Sequence, residues 1–172
     1  MVRLKYYLKC YHATDFVIDE FNLDWLNFGD NNFGPGIYFS TRSDNIDFYL
    51  NESPNGNIYQ IEIPIDNMVK WYDLIDDNIL EQFLLSLPIE FYNANKDYLI
   101  KKYKNKNYLY IFNNLPYEII NSKYYSDASL KEFLINMSEN TGISSMFMQN
   151  GTFRDEVILF NPKVIKNKKK IN

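Results

Sequence analysis

The segment NGNIYQIEIPI, residues 55–65, constrains the fold of this chain more than any other. A turn dipeptide opens it, and Ile58, Gln60 and Glu62 then alternate with Tyr59, Ile61 and Ile63. Residues two apart share a face of a strand, so the pattern predicts a strand with one strongly apolar side. LKYYLKCYHAT (4–14) alternates less regularly and predicts a first strand ending near His12. GIYFST (36–41) follows a glycine–proline turn, and DEVILFNPKVI (155–165) is a last strand halted at Pro162.

Helical patterns fill the middle. DDNILEQFLLSL (76–87) carries a cap and an apolar face of period 3.6, closed by Pro88. SDASLKEFLINMSENTGI (126–143) is the clearest helix, with Ser126 or Asp127 as cap and Gly142 near its end. SDNIDFYLNES (43–53) fits a helix capped by Ser43, with Ile46, Tyr49 and Leu50 at helical spacing. DFVIDEFNLDWLNFGDNN (15–32) mixes turn and apolar residues and reads as a short helix and a loop, whereas DYLIKKYKNKNYLYIFNNL (97–115) fits helix and strand equally. The expectation is an α+β fold, with strands at the two ends of the chain and helices between.

At 172 residues, this is one domain by length, with no repeat or linker. The expected boundaries are 1–165 for the domain and 166–172 for a solvated basic tail, because KVIKNKKKIN concentrates lysine at the end. The net charge of −4 advertises no polyanion partner for the chain as a whole. With one cysteine, Cys10, and one histidine, His12, neither an internal disulfide nor a Cys- or multi-His metal centre is expected. A reducing cytoplasm fits a chain without disulfides. Charge interrupts the first residues before a signal-peptide core develops, and no apolar run approaches the roughly 20 residues that cross a bilayer.

Three polar residues sit on the expected strands: His12, Tyr38 and Glu156. Packing explains each of them alone; their flanking residues change that. YHAT (11–14), FGPGIYFS (33–40) and RDEVILFNP (154–162) together resemble the ADP-ribosyltransferase superfamily, on the His–Tyr–Glu branch of diphtheria toxin and the poly(ADP-ribose) polymerases. The first is similar to the family's His-Gly-Thr or His-Gly-Ser, with Ala13 in place of the glycine. The second resembles Gly-x-Gly-Ile-Tyr-Phe, followed by a helix whose tyrosine falls at Tyr49, with Ile46 where polymerase-type members have serine. The third resembles a glutamate opening a strand that ends in an Asn-Pro turn.

The resemblance implies a split β-sandwich flanked by helices, and NAD as substrate. His12 would bond the adenosine ribose, the Ala13 backbone would hold the nicotinamide carboxamide, and Thr14 would touch the ribose side. Tyr38 and Tyr49 would stack on the nicotinamide ring. Gly34 and Gly36 would let the backbone approach this flat ligand. Glu156 would bind the 2′-hydroxyl and stabilise the oxocarbenium-like centre of the transition state. GISSMFMQNGTFRD (142–155) falls where the family has its acceptor loop, making Gln149, Asn150 and Arg154 candidates for acceptor contact.

The implied activity is mono-ADP-ribosyl transfer to a protein or to RNA or DNA, as in small toxins and phage–host conflict effectors, where an antitoxin is a further partner. KKYKNKNYLYIF (101–112) has the lysines and tyrosines to guide a polynucleotide, and equally those of a solvated helix face. NAD glycohydrolysis on the same scaffold and a non-catalytic binding module are the alternatives. No membrane partner is expected.

Overall fold

Among the described residues, strand β6, Glu156–Leu159, lies inside a mixed sheet of seven strands, and its VIL run is fully buried. In the computed structural model, residues 6–25, 35–44, 56–149 and 155–171 are described. The other strands are β1 (Tyr7–Thr14), β2 (Ile37–Ser40), β3 (Asn57–Pro64), β4 (Met68–Lys70), β5 (Ser145–Met148) and β7 (Lys166–Lys170). Their order is β4-β5-β6-β2-β1-β3-β7, and neighbours run antiparallel except β4 and β5. Both faces of β6 are covered, which is why its sequence is continuously apolar instead of alternating.

The sheet consists of two well-paired ladders with a narrow join. β1 and β3 pair along eight registers, from Tyr7 opposite Pro64 to Thr14 opposite Asn57. Tyr59, Ile61 and Ile63 of β3 are buried while Gln60 and Glu62 are half-exposed, as the alternation predicts. β2 pairs with β6 along its whole length, Ile37 opposite Leu159 through Ser40 opposite Glu156. Between β1 and β2, however, only Tyr11 and Ser40 are in register. Past that point the two strands part.

Among the described residues, four helices back the sheet: α1 (Asp77–Leu85), α2 (Ile89–Tyr103), α3 (Tyr108–Ile120) and α4 (Asp127–Thr141). Asp76 caps α1 by accepting from the Asn78 N–H at 2.8 Å, and Leu80, Phe83 and Leu84 form its buried stripe. The ambiguous lysine–tyrosine run resolves into two helices. Asn105 takes a left-handed φ of 60°, and Asn107 caps α3 by accepting from the Tyr110 N–H at 2.8 Å. A capping box of Ser126 and Ser129 starts α4, and Gly142, at φ 74°, ends it. Helix α3 meets the strands where Phe112 stacks on Phe160, with ring centroids 4.1 Å apart. Among the described residues, no helix is long and apolar enough to cross a membrane.

Three expectations need correction. The basic end is not a solvated tail, because Lys166–Lys170 pair with β3 as an edge strand whose side chains stay exposed. Lysines suit such an edge by discouraging further pairing. Part of the expected acceptor loop is strand β5, held between β4 and β6. The third concerns Gly36. A Cβ there would lie 2.5 Å from Ile158 Cγ2 and 3.0 Å from the Leu159 carbonyl oxygen, so its missing side chain first serves the approach of β2 to β6. Gly34, Ile46 and Tyr49 lie outside the described residues, as does most of the helix expected after Ser43.

Gly36→Ala should therefore destabilise the fold itself. Overpacking of this kind costs about 1–3 kcal/mol, to be read as a lower urea midpoint at unchanged m-value. Wild-type stability in this variant would refute the packing explanation.

Candidate active site

Where β1 and β2 part, the His12 side chain fills the gap. Its Nδ1 lies 2.9 Å from the Tyr38 carbonyl oxygen, which can only accept, so Nδ1 carries the proton and donates. The ring packs edge-on against Phe21 and tilted against Phe39, each 5.5 Å away between centroids. Phe21 in turn meets Phe39 at 5.2 Å and Tyr59 at 5.9 Å. Burial in this aromatic cluster pushes the His12 pKa below its ordinary value, and the bond to the Tyr38 carbonyl only partly opposes that. The imidazole is thus neutral at pH 7, with Nε2 as a hydrogen-bond acceptor.

His12 and Thr14, two residues apart on one face of β1, line a cleft of about 640 Å³ together with Gly36, Ile37 and Tyr38. Clefts of roughly 300–1,000 Å³ are the usual size for a small-molecule ligand. Its opposite wall is the loop from Phe16 to Asn22, which follows β1 directly. Several contacts fasten that loop. The Phe16 N–H donates to Thr14 Oγ1 at 3.3 Å, and the Ile18 N–H donates to the Tyr59 hydroxyl at 2.7 Å. Asn57 Nδ2 donates to the carbonyls of Thr14 and Asp15 at 3.5 and 3.3 Å. Phe16 and Val17 stand exposed in this wall, and its charged residues, Asp19 and Glu20, are acidic.

Glu156 approaches from the other side of Tyr38. It pairs with Ser40, and Tyr38 pairs with Ile158, so Glu156 and Tyr38 are diagonal neighbours on one face of the sheet. Such neighbours are about 7–8 Å apart, within reach of long side chains. Glu156 is half-buried and is not one of the residues lining the cleft. The Cβ of His12 leaves β1 on the opposite face, beside Phe39, and the ring reaches the Tyr38 backbone through the split. Tyr38 is therefore the common neighbour, with its carbonyl on His12 and its side-chain face shared with Glu156.

Of the residues expected in a site, the structure brings His12, Thr14, Gly36 and Tyr38 into one cleft; Glu156 is not among its lining residues and is a diagonal neighbour of Tyr38 on the sheet face opposite the His12 Cβ. Ala13 is half-buried on β1 between His12 and Thr14. Gln149 is exposed and follows Met148, which pairs with Glu156. Tyr49, Asn150 and Arg154 lie outside the described residues. Sequence reasoning missed the Phe16–Asn22 wall and Phe21, since DFVIDEF has neither helical nor strand period. The lone thiol takes no part: burial pushes Cys10 up to about 12, leaving it a protonated core side chain.

No family model matches the chain, and no curated protein matches it. A solved structure described as the crystal structure of an anti-CRISPR protein is similar to it, with 11% identity over 96% of each chain and a TM-score of 0.44.

The neutral imidazole has a measurable consequence. The single histidine gives one imidazole titration by NMR, and its midpoint should fall below the ordinary 6.5. Because the folded value is depressed, the unfolded chain binds the extra proton first as pH falls. The His12 contribution to stability is complete above 6.5 and is lost as pH drops through the folded value. His12→Gln should flatten that acid limb of the stability profile, and a midpoint at or above 6.5 would contradict the buried neutral ring.

Proposed function

We propose that this chain is a mono-ADP-ribosyltransferase of the His–Tyr–Glu branch, built on a split β-sandwich and using NAD as substrate. One observation carries the reading: the His12 Nδ1–Tyr38 carbonyl bond joins two motifs far apart in sequence at one cleft, with Glu156 diagonal to Tyr38. The single β1–β2 register pair is the feature that corresponds to the split. By resemblance, Nε2 of His12 accepts from the adenosine ribose hydroxyl, and the Ala13 backbone and Thr14 hold the nicotinamide side. Tyr38 stacks on the nicotinamide ring, with Tyr49 as the opposing tyrosine. The unprotonated Nε2 suits the role given to His12.

In the reaction, the bond between ribose C1′ and the pyridinium nitrogen breaks, and nicotinamide leaves as a neutral molecule with the bonding pair. Positive charge develops at C1′ and the ring oxygen, where a fixed carboxylate lowers the barrier because it meets charge present only in the transition state. The acceptor attacks C1′ and loses its proton, which Glu156 can orient or take. The acceptor is a macromolecule, protein or nucleic acid, approached on the Gln149 side. The transfer is of a single ADP-ribose, as by a toxin or phage–host conflict effector restrained by an antitoxin.

Incubation with labelled NAD and a cell lysate tests the reading. Label on macromolecule is expected; free ADP-ribose alone would mean a glycohydrolase, and neither product would mean a binding module. Glu156→Gln should lower transfer about 10²–10³-fold, the usual loss for one preorganised electrostatic contact, while the thermal shift on adding NAD persists. Asp155→Asn, on the neighbouring residue of the opposite face, should keep most activity. Wild-type transfer by Glu156→Gln would remove Glu156 from the reaction.

A further inference from the structure

The lysine-rich end of the chain reaches the cleft wall. Tyr59 pairs with Lys170 and Gln60 with Lys169, but the next pair along the ladder is Glu62 with Lys166. Two residues of β7, Asn167 and Lys168, thus stand opposite Ile61 alone, which is a β-bulge. Asn167 adopts a left-handed φ of 51° at the bulge, and its Nδ2 donates to Glu62 Oε2 at 2.6 Å. The neighbouring Lys168 ammonium lies 5.6 Å from the Tyr59 ring centroid. From there it donates to the Ile18 carbonyl at 2.8 Å and to the Asp19 carbonyl. Ile18 is held twice, its N–H by the Tyr59 hydroxyl and its carbonyl by Lys168. Both Ile18 and Asp19 line the cleft.

We propose that Lys168 is a positioning residue for the cleft: the bulged edge strand holds the Ile18–Asp19 wall against Tyr59 and thereby sets the space opposite His12 and Tyr38. An ammonium suits this task because its three donors serve two carbonyls while its charge rests on a ring face. Other lysines of β7 act as edge protection and have no such contact to match; Lys169, opposite Gln60, is the control. The identity of the ligand rests on the transferase reading; the positioning of the wall does not.

The test compares Lys168→Met, which keeps the stem and loses the donors, with Lys168→Arg, which keeps cationic donors, and with Lys169→Met. Amide hydrogen exchange at Ile18 should quicken about tenfold or more in Lys168→Met, the scale of losing a charge-assisted bond. It should largely recover in Lys168→Arg and stay unchanged in Lys169→Met, with β3 protected in all three. With NAD, Lys168→Met should raise KM about tenfold and leave kcat within about twofold, since the wall acts on ground and transition states alike. Unchanged Ile18 exchange in Lys168→Met, or equal loss in Lys169→Met, overturns the proposal. So does altered exchange with unaltered NAD affinity. If exchange responds as expected and none of the proteins, wild type included, binds or turns over NAD, the positioning role stands and the transferase reading falls.

Discussion

The hydrogen bond from His12 Nδ1 to the Tyr38 carbonyl is the contact on which the rest of the site depends. Two ladders that share one register pair would leave backbone groups without partners as they diverge. An unsatisfied buried polar group costs about 1–3 kcal/mol, so a split in a sheet needs something to occupy it. Here a side chain from β1 replaces the missing rung. The same bond fixes the tautomer of the imidazole, and burial among Phe21, Phe39 and Tyr59 keeps it neutral. A structural repair and a defined acceptor at the cleft are thus one arrangement.

Behind this contact, close packing sets the position of Tyr38. β2 lies tightly against β6 because Gly36 has no side chain to hold it away from Ile158 and Leu159. β6 is anchored in the core, since Val157, Ile158 and Leu159 are wholly buried and Phe160 stacks on Phe112 of α3. Burial of side chains this size is worth about 1.5–3 kcal/mol each. Tyr38 and Glu156 thereby take their diagonal relation from the pairing of β2 with this buried strand. Positions on a sheet are held better than positions on a loop. The opposite wall of the cleft is of the other kind, a loop fastened by side chains from β3 and β7.

Much of this architecture was legible in the sequence. The alternation of residues 58–63 encodes β3, the apolar VILF run encodes a strand buried on both faces, and capping residues mark α1 and α4. These signals are local: period, capping chemistry and turn residues act within a few positions of one another. The lysine–tyrosine run at 97–115 was ambiguous because apolar and basic residues there fit both periods, and a left-handed Asn105 decided for two helices. β4 and β5, with three and four residues, are too short to carry a period of their own, and neighbouring strands create them.

For the site, the sequence by itself determined which chemistry-bearing residues exist: one histidine, a tyrosine behind a glycine–proline turn, and a glutamate at the start of an apolar strand. It also determined that the strands bearing them come from the two ends of the chain. Only the tertiary structure decided that Gly36 answers first to Ile158, that the His12 ring reaches Tyr38 through a split, and that Lys168 meets a loop 149 residues earlier. The reason is physical. Periodicity reports the environment of a residue averaged over its own strand or helix, whereas these contacts are made by single side chains across elements that share no sequence signal. A run of lysines reads as solvated until a β-bulge turns one of them toward a carbonyl.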